Sequence, residues 1–403
     1  MDVFLARQPI FRKNRSLFGY ELLFRDGLSN AFPDIDGTEA TSRVLSNSFF
    51  SMGIEQVSGE GRAFVNFTRD LLVERVPMMF PRDRVVVEIL EDIEPDDEVE
   101  EACREMAEKG YVIALDDFLF RPEMAGLIQT AGIIKFDLMA TPLDTLEPLL
   151  KKLSGNGIEF LAEKVETYEE FDRAMEMGFT YFQGYFFSRP EILQGRDVSA
   201  PRMNLLELMA EANRNDVAFR KLEEIIERDV AISYKLLHYI NSAYFRRVSE
   251  VTSIRQAIVL MGERGVRRFL SLIAMASLAA DKPDELIRAS IVRARFCETL
   301  GDIGPPGADR AELFTLGLFS LIDALMDDAM ASLMERLPLS GAIKGALVRR
   351  NGPLAPYVGL LESYERGCWE GVSEAAARLG LEQERLPGCF LESLAWADNL
   401  SSQ

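Results

Sequence analysis

Four short apolar runs in the first half of the chain each end in acidic residues. The runs are rich in β-branched residues, as strands buried in a parallel sheet are. Their acidic ends are Glu88, Asp116 with Asp117, Asp137 and Glu163, at successive intervals of 28, 21 and 26 residues. Each interval fits one strand plus one crossover helix. Carboxylates at the ends of successive parallel strands meet at one rim, where (β/α) barrels build active sites. The pattern therefore predicts an α/β barrel with an oxygen-rich mouth.

Two further polar residues extend this rim. Glu21 lies in FGYELLFR (18–25), which we interpret as the first strand, and Asn66 lies near the end of RAFVNF (62–67). Adjacent Asp116 and Asp117 repel each other unless a cation compensates. Each carboxylate alone also suits a helix N-cap in a βα loop, and an isolated Asn suits a turn. The joint pattern favours a site for divalent cations with oxygen ligands. Its candidate ligands are Glu21, Asn66, Glu88, Asp116 and Asp117.

Catalytic candidates follow from the same strands. Lys135 stands two residues before Asp137, so both face the barrel interior. A buried lysine beside acids is either their charge partner or a group that orients a nucleophilic water. Glu163 closes the next strand and is a candidate general base. Gln183 lies on a further apolar strand, YFQGYFF (181–187), where Gly184 permits close backbone approach.

Composition excludes several classes of protein. Residues 1–195 carry 20 Lys/Arg and 36 Asp/Glu, a net charge of −16, which argues against nucleic-acid binding. The single histidine, His238, cannot build a zinc site or a metal-binding His-Asp pair. The four cysteines have no metal-binding spacing and fit reduced thiols. The sequence shows no signal peptide and no apolar stretch long enough to span a bilayer. We therefore expect a cytoplasmic protein that does not associate with a membrane.

The second half has a different pattern. A turn-rich stretch at 188–202 follows the last strand-like run, and beyond Met203 apolar residues recur at helical spacing. Helical breaks are expected at 301–307 and around 351–353. We therefore predict two domains, an α/β domain over 1–196 and an all-α domain over 197–403.

The motifs of the first half resemble those of EAL domains, bacterial phosphodiesterases that act on cyclic di-GMP. The matching motifs lie in the family's order over some 170 residues, and the Glu88–Glu91 match has Leu90 where the family usually has Thr. They are Glu21-Leu22-Leu23-Phe24-Arg25, Asn66, Glu88 with Glu91, Asp116-Asp117-Phe118, Lys135-Phe136-Asp137, Ala162-Glu163-Lys164-Val165-Glu166 and Gln183-Gly184-Tyr185.

The resemblance implies a TIM-like barrel, trimmed or complete, that performs two-metal hydrolysis of cyclic di-GMP to linear pGpG. Mg²⁺ or Mn²⁺ would be held by Glu21, Asn66, Glu88, Asp116 and Asp117. Lys135 and Glu163 would position and deprotonate the attacking water. Arg25, Asp137 and Gln183 would contact or orient the substrate.

Besides Leu90, and Leu22 where the family signature has Ala, two further departures from the family pattern lie beside the site residues. The Gly-Thr-Gly-like loop after the Asp-Asp-Phe motif is replaced by Leu119–Glu123, and Lys164 stands where the family has glycine. Pro122 fixes φ, and Leu and Phe resist backbone shapes that glycine allows. An inactive barrel that serves as a cyclic di-GMP receptor or a protein scaffold therefore remains the alternative. The altered loop also removes the usual grounds for expecting a homodimer.

The second half resembles HDOD domains, helical relatives of the HD phosphohydrolases that lack their metal ligands. The matching residues are Ile225-Ile226 with Asp229, Leu236-Leu237, Asn241-Ser242-Ala243-Tyr244, Ser253-Ile254 with Ala257-Ile258, and Leu260-Met261-Gly262. The resemblance implies an output or interaction domain that contacts a protein partner.

Overall fold

A computed structural model describes residues 4–25, 57–155, 157–188, 226, 236–237, 239–240, 251, 253–278, 282–304, 309–337 and 339–401. The chain divides into two compact units. The first comprises Met1–Arg189, Glu362–Glu374 and Gln383–Leu394, and the second Pro190–Leu361, Ala375–Glu382 and Ala395–Gln403. Segments from late in the chain therefore belong to the same unit as the predicted barrel.

The first unit contains a closed barrel of eight strands. They are β1 (Phe4–Arg12), β2 (Leu17–Arg25), β3 (Arg62–Phe67), β4 (Val85–Ile89), β5 (Val112–Leu115), β6 (Ile133–Asp137), β7 (Glu159–Glu163) and β8 (Tyr181–Gln183). The predicted barrel is confirmed and keeps its full strand number. Our interpretation of 18–25 as the first strand was wrong, because β1 precedes it and pairs antiparallel with both β2 and β8.

Helices follow five of the parallel strands. They are α1 (Arg69–Val73), α2 (Asp97–Glu108), α3 (Ala125–Thr130), α4 (Leu143–Leu153) and α5 (Tyr168–Glu176). Acidic residues Asp97, Glu98 and Glu100 form the first turn of α2, where the carboxylate of the N-cap residue Asp96 accepts the N–H groups of Glu98 and Val99. A capping box between Thr167 and Glu170 begins α5 directly after β7. These two caps fix where α2 and α5 begin.

The barrel interior is layered because side chains alternate along every strand. One layer is apolar and fills the barrel; it consists of Ile10, Phe18, Phe64, Val86, Ala114, Ile133, Leu161 and Tyr181. Two residues further toward the mouth on β3 to β8, the same face carries a polar layer of Asn66, Glu88, Asp116, Lys135, Glu163 and Gln183. The apolar layer thus lies directly beneath the polar residues and closes the bottom of the site.

The remaining described helices confirm the all-α character of the second half. They are α6 (Ile254–Leu278), α7 (Asp284–Ile303), α8 (Arg310–Phe319), α9 (Ile322–Met326), α10 (Met330–Arg336), α11 (Gly341–Arg349), α12 (Ala355–Glu365), α13 (Trp369–Leu379) and α14 (Leu386–Ser401). The expected breaks fall between α7 and α8 and between α11 and α12. No helix in the described ranges has the length and apolarity needed to cross a membrane.

A kink interrupts α6 at Gly262, whose φ of 65° is left-handed. The two halves of the helix pack on a cluster that includes Ile226, Leu236 and Phe269. Apart from Ile226, residues 203–230, where helical periodicity is expected, lie outside the described residues, as do His238 and the Asn241–Tyr244 motif.

Candidate active site

Four carboxylates at the barrel mouth converge on one lysine. The Lys135 ammonium, fully buried on β6, lies 2.7 Å from Glu88 Oε1, 2.7 Å from Asp116 Oδ1, 2.9 Å from Glu163 Oε1 and 3.6 Å from Glu21 Oε2. Their strands, β2, β4, β5 and β7, present these residues at the carboxyl end of the barrel. We call Lys135 and these four carboxylates the inner cluster. The structure thus brings together residues that lie up to 142 positions apart in the chain.

Amide side chains hold one edge of the inner cluster. Gln183 Nε2 donates to Glu21 Oε2 at 2.6 Å and to Gln8 Oε1 at 2.9 Å. Asn66 Nδ2 lies 3.4 Å from the other Glu21 oxygen, a weak hydrogen bond. Because Gln8 pairs with Glu21 in the β1–β2 register, closure of the barrel by β1 carries it to the mouth. Sequence reasoning missed Gln8; its only signal is a polar residue at alternating spacing before Ile10.

Several oxygen atoms of the site are buried without a hydrogen-bond donor. They are Asn66 Oδ1, Glu88 Oε2, Asp117 Oδ1 and Gln183 Oε1. A buried polar atom without a partner is costly and calls for an explanation in a native fold. The donor set of carboxylate and amide oxygens is the one that Mg²⁺, Mn²⁺ and Ca²⁺ prefer. The residues therefore fit a divalent cation.

The charges of the inner cluster are poorly balanced. Burial raises the pKa of Glu88 and Glu163 well above the ordinary glutamate value, and neighbouring carboxylates add to the rise. Burial alone lowers the pKa of Lys135, but its four carboxylate neighbours outweigh that effect and raise the pKa well above normal. Among the described residues, no three Asp, Glu, His or Cys side chains form a ready-made coordination site, and the carboxylates point at Lys135 instead.

A second group of charges lies at the rim and consists of Asp117, Asp137 and Lys164, which we call the rim group. Lys164 Nζ lies 2.5 Å from Asp137 Oδ2, while Asp137 Oδ1 accepts the N–H groups of Met139 and Ala140 at 2.7 and 3.2 Å. Both oxygens of Asp137 are therefore engaged. Burial, followed by the charge of Asp116, raises the pKa of Asp117.

The loop that replaces the glycine-rich segment has a defined structure. Leu119 and Phe120 are exposed, Arg121 donates to the Glu91 carbonyl at 3.0 Å, and Pro122 opens a 3₁₀ turn that ends at Met124. The turn leads directly into α3. Asp117, just before this loop, adopts a left-handed φ of 39°, a conformation that aspartate tolerates better than most residues.

Gly184 provides the close approach that the sequence predicts. Its φ is 147°, and a Cβ at this position would overlap the backbone of Val165. The Val165 N–H donates to the Gln183 carbonyl at 3.0 Å, which ties the end of β8 to the end of β7. Gln183 is thereby fixed beside Glu163. Arg25 ends β2, but its side chain lies outside the described part of the chain.

Comparison with family models matches an EAL domain over residues 45–190 and an HDOD domain over residues 200–337. The EAL match begins after the Glu21–Arg25 motif.

Two curated proteins resemble nearly the entire chain. The cyclic di-GMP phosphodiesterase CdgJ of Vibrio cholerae is 39% identical over 401 residues, covering 99% of this chain and 93% of the relative. The uncharacterized protein YuxH of Bacillus subtilis is 34% identical over 408 residues, covering 99% of each. Among solved structures, a standalone EAL protein of Vibrio cholerae bound to c-di-GMP is 22% identical and covers 46% of this chain and 90% of its own, with a TM-score of 0.36.

Proposed function

The chain belongs to the family of proteins that join an EAL domain to an HDOD domain, and from that premise we propose that it hydrolyses cyclic di-GMP to linear pGpG. The Vibrio cholerae relative is a cyclic di-GMP phosphodiesterase, and linear pGpG is the product that the resemblance to EAL domains implies. Support from this chain comes from the barrel mouth described above.

One observation carries the proposal. Buried oxygens of Asn66, Glu88 and Asp117 lack hydrogen-bond donors and lie at the ends of neighbouring strands, together with Glu21 and Asp116. We propose that these five residues hold Mg²⁺ or Mn²⁺. When bound, the cations would supply activation of a water nucleophile and neutralisation of phosphodiester charge.

The other residues of the inner cluster would act on protons and orientation. Glu163 is buried and its pKa is raised, which suits a general base that must accept a proton near neutral pH. Lys135, held by Glu163 and Asp116 at 2.9 and 2.7 Å, would orient the attacking water and remain charged. Gln183 would hold Glu21 in place through its 2.6 Å hydrogen bond. We propose substrate contacts for Arg25, Asp137 and Gln183.

The test is a hydrolysis assay on the full chain with Mg²⁺ or Mn²⁺, preceded by titration of cyclic di-GMP in Ca²⁺. We expect Glu163→Gln to lower kcat by at least ~100-fold, the lower range for loss of a general base. Glu159→Gln is the matched control because Glu159 lies at the opposite end of the same strand, where it accepts the Tyr181 hydroxyl at 2.8 Å. The control should retain wild-type turnover.

The two measurements separate the alternatives. Formation of pGpG that depends on Glu88 and Glu163 supports the enzyme. Tight cyclic di-GMP binding without turnover would make the barrel a receptor and contradict the proposal. Absence of binding would leave a protein scaffold.

We further propose that the HDOD half contacts a protein partner and that the protein works in the cytoplasm. All four cysteines are free thiols, which supports a reducing compartment. A homodimer, for which the altered loop removes the usual grounds, would be tested by sedimentation of the purified chain.

A further inference from the structure

Lys164 occupies a backbone position that disfavours a side chain. It follows Glu163 directly at the end of β7, and its φ of 54° lies in the left-handed region that glycine populates most readily. A lysine held there must gain interactions that offset the cost of its backbone conformation. The ion pair to Asp137 is one such interaction.

That ion pair differs from an ordinary surface pair. The side chain of Lys164 is about half exposed, but that of Asp137 is only 11% exposed and both of its oxygens are engaged. An exposed pair between two mobile side chains contributes little, whereas a fixed and partly buried carboxylate holds its partner in place. The ammonium of Lys164 is therefore a positioned charge at the barrel mouth.

The two groups of charges differ in what they can still bind. In the inner cluster, four carboxylates face one ammonium, so an added cation has unpaired negative charge to meet. In the rim group, Asp137 already pairs with the Lys164 ammonium at 2.5 Å, and the charge of that ammonium also opposes the rise in the pKa of Asp117. Asp117 keeps one buried oxygen without a donor, so the rim retains a ligand atom but little excess charge.

We propose that Lys164 supplies, as a fixed ammonium, much of the positive charge that a second divalent cation would bring to the rim group. The protein then binds one divalent cation tightly at the inner cluster and a second one weakly at Asp117. This inference rests on the proposed metal-dependent function.

The experiment is a titration of the metal-free full chain with Mn²⁺, in which electron paramagnetic resonance measures free Mn²⁺. We expect one tight site in the wild type. In Lys164→Gln, the second site should tighten by about tenfold, because one nearby opposing charge is gone from a partly screened position. Lys164→Arg keeps the charge and should behave as the wild type.

Two further variants separate the effect of the Lys164 charge from the effect of its left-handed backbone conformation. Lys164→Gly removes the charge and also relieves the left-handed conformation, so a gain seen with glycine but not with glutamine would overturn the electrostatic explanation. Lys151→Gln removes an exposed lysine that pairs with Glu147 on α4, and it should leave both sites unchanged.

The outcomes distinguish this inference from the proposed function. A tight site that Glu88→Gln abolishes, with a second site that responds to Lys164→Gln, supports both. A tight site that Glu88→Gln abolishes, with two equally tight wild-type sites or a second site indifferent to Lys164→Gln, overturns the inference alone. No Mn²⁺ bound by the wild type overturns both.

Discussion

Lys135 holds the four carboxylates of the inner cluster together while none of its side chain reaches solvent. Replacing Lys135 by methionine would keep its length but leave buried carboxylates without their cation. Loss of one partner from a buried ion pair costs about 3–5 kcal/mol. We expect Lys135→Met to lower the free energy of unfolding by about that amount in metal-free buffer, measured by urea denaturation.

A divalent cation should reverse part of this loss, since it would meet the same oxygens. Lys151→Met is the control, and the loss of its exposed pair with Glu147 should change stability by less than ~1 kcal/mol. Equal stability of Lys135→Met and the wild type would mean that the inner carboxylates are already protonated in the native protein.

The raised pKa of Glu88 predicts how the stability of the protein changes with pH. Because burial raises its pKa in the folded state above the reference value of 4.5, its carboxyl group stabilises the fold at low pH and loses that contribution as pH rises. Glutamine in its place stays neutral at every pH. Without metal, the stability of Glu88→Gln relative to wild type should therefore increase between about pH 5 and pH 8.

Urea unfolding of both proteins in the presence of a chelator would measure this difference at each pH. A constant difference would show that Glu88 keeps an ordinary pKa. The same variant should lose the tight Mn²⁺ site, so gained stability and lost metal binding would come from one substitution.

Among the elements, the junction of β7 and β8 depends on Gly184. A Cβ there would overlap the Val165 backbone, and neither strand can move away without breaking the hydrogen bond from Val165 to Gln183. We expect Gly184→Ala to destabilise the protein by more than ~2 kcal/mol, beyond the ordinary cost of a left-handed alanine. Thermal or urea unfolding would measure it.

Gly178→Ala is the matched control for this substitution. Gly178 also has a positive φ, at 103°, but its Cβ would meet no atom within 4 Å. Its cost should be limited to backbone strain, about 1–2 kcal/mol. If the two variants were equally stable, the close approach at Gly184 would contribute nothing measurable to the free energy of unfolding.

For the whole molecule, the barrel unit includes residues 362–374 and 383–394. Within that unit, Gly367 packs against Leu23, Arg366 lies over the Tyr185 ring at 4.8 Å, and Gln8 Nε2 lies 3.4 Å from the Glu365 carbonyl. We expect a fragment of residues 1–196 to unfold at a lower temperature than the full chain, because it would expose the apolar surface around Leu23.

Calorimetry of the fragment and the full chain would test this expectation. Arg366→Ala in the full chain removes one exposed contact and serves as the control, with a shift of only a few degrees. A fragment as stable as the full chain would show that the late segments add nothing to the barrel.

Local patterns in the sequence were enough to predict the barrel, its oxygen-rich mouth and the all-α second half. Alternation along each strand places Lys135 and Glu163 on the interior face, and one acidic residue per strand end brings the cluster to one rim. The close approach at Gly184 was also predictable from the sequence, because a glycine within an aromatic strand run often marks a site where another backbone segment comes near.

Tertiary structure alone decided the remaining features, because they depend on residues far apart in the chain. Closure of the barrel by an antiparallel β1 brings Gln8 to Glu21 and Gln183. The spacing of apolar residues along the chain does not predict that pairing. The left-handed backbone of Lys164 and its pairing with Asp137 depend on how β7 ends beside β6. Likewise, which late segments join the barrel unit is a matter of long-range packing, for which spacing along the chain carries no signal.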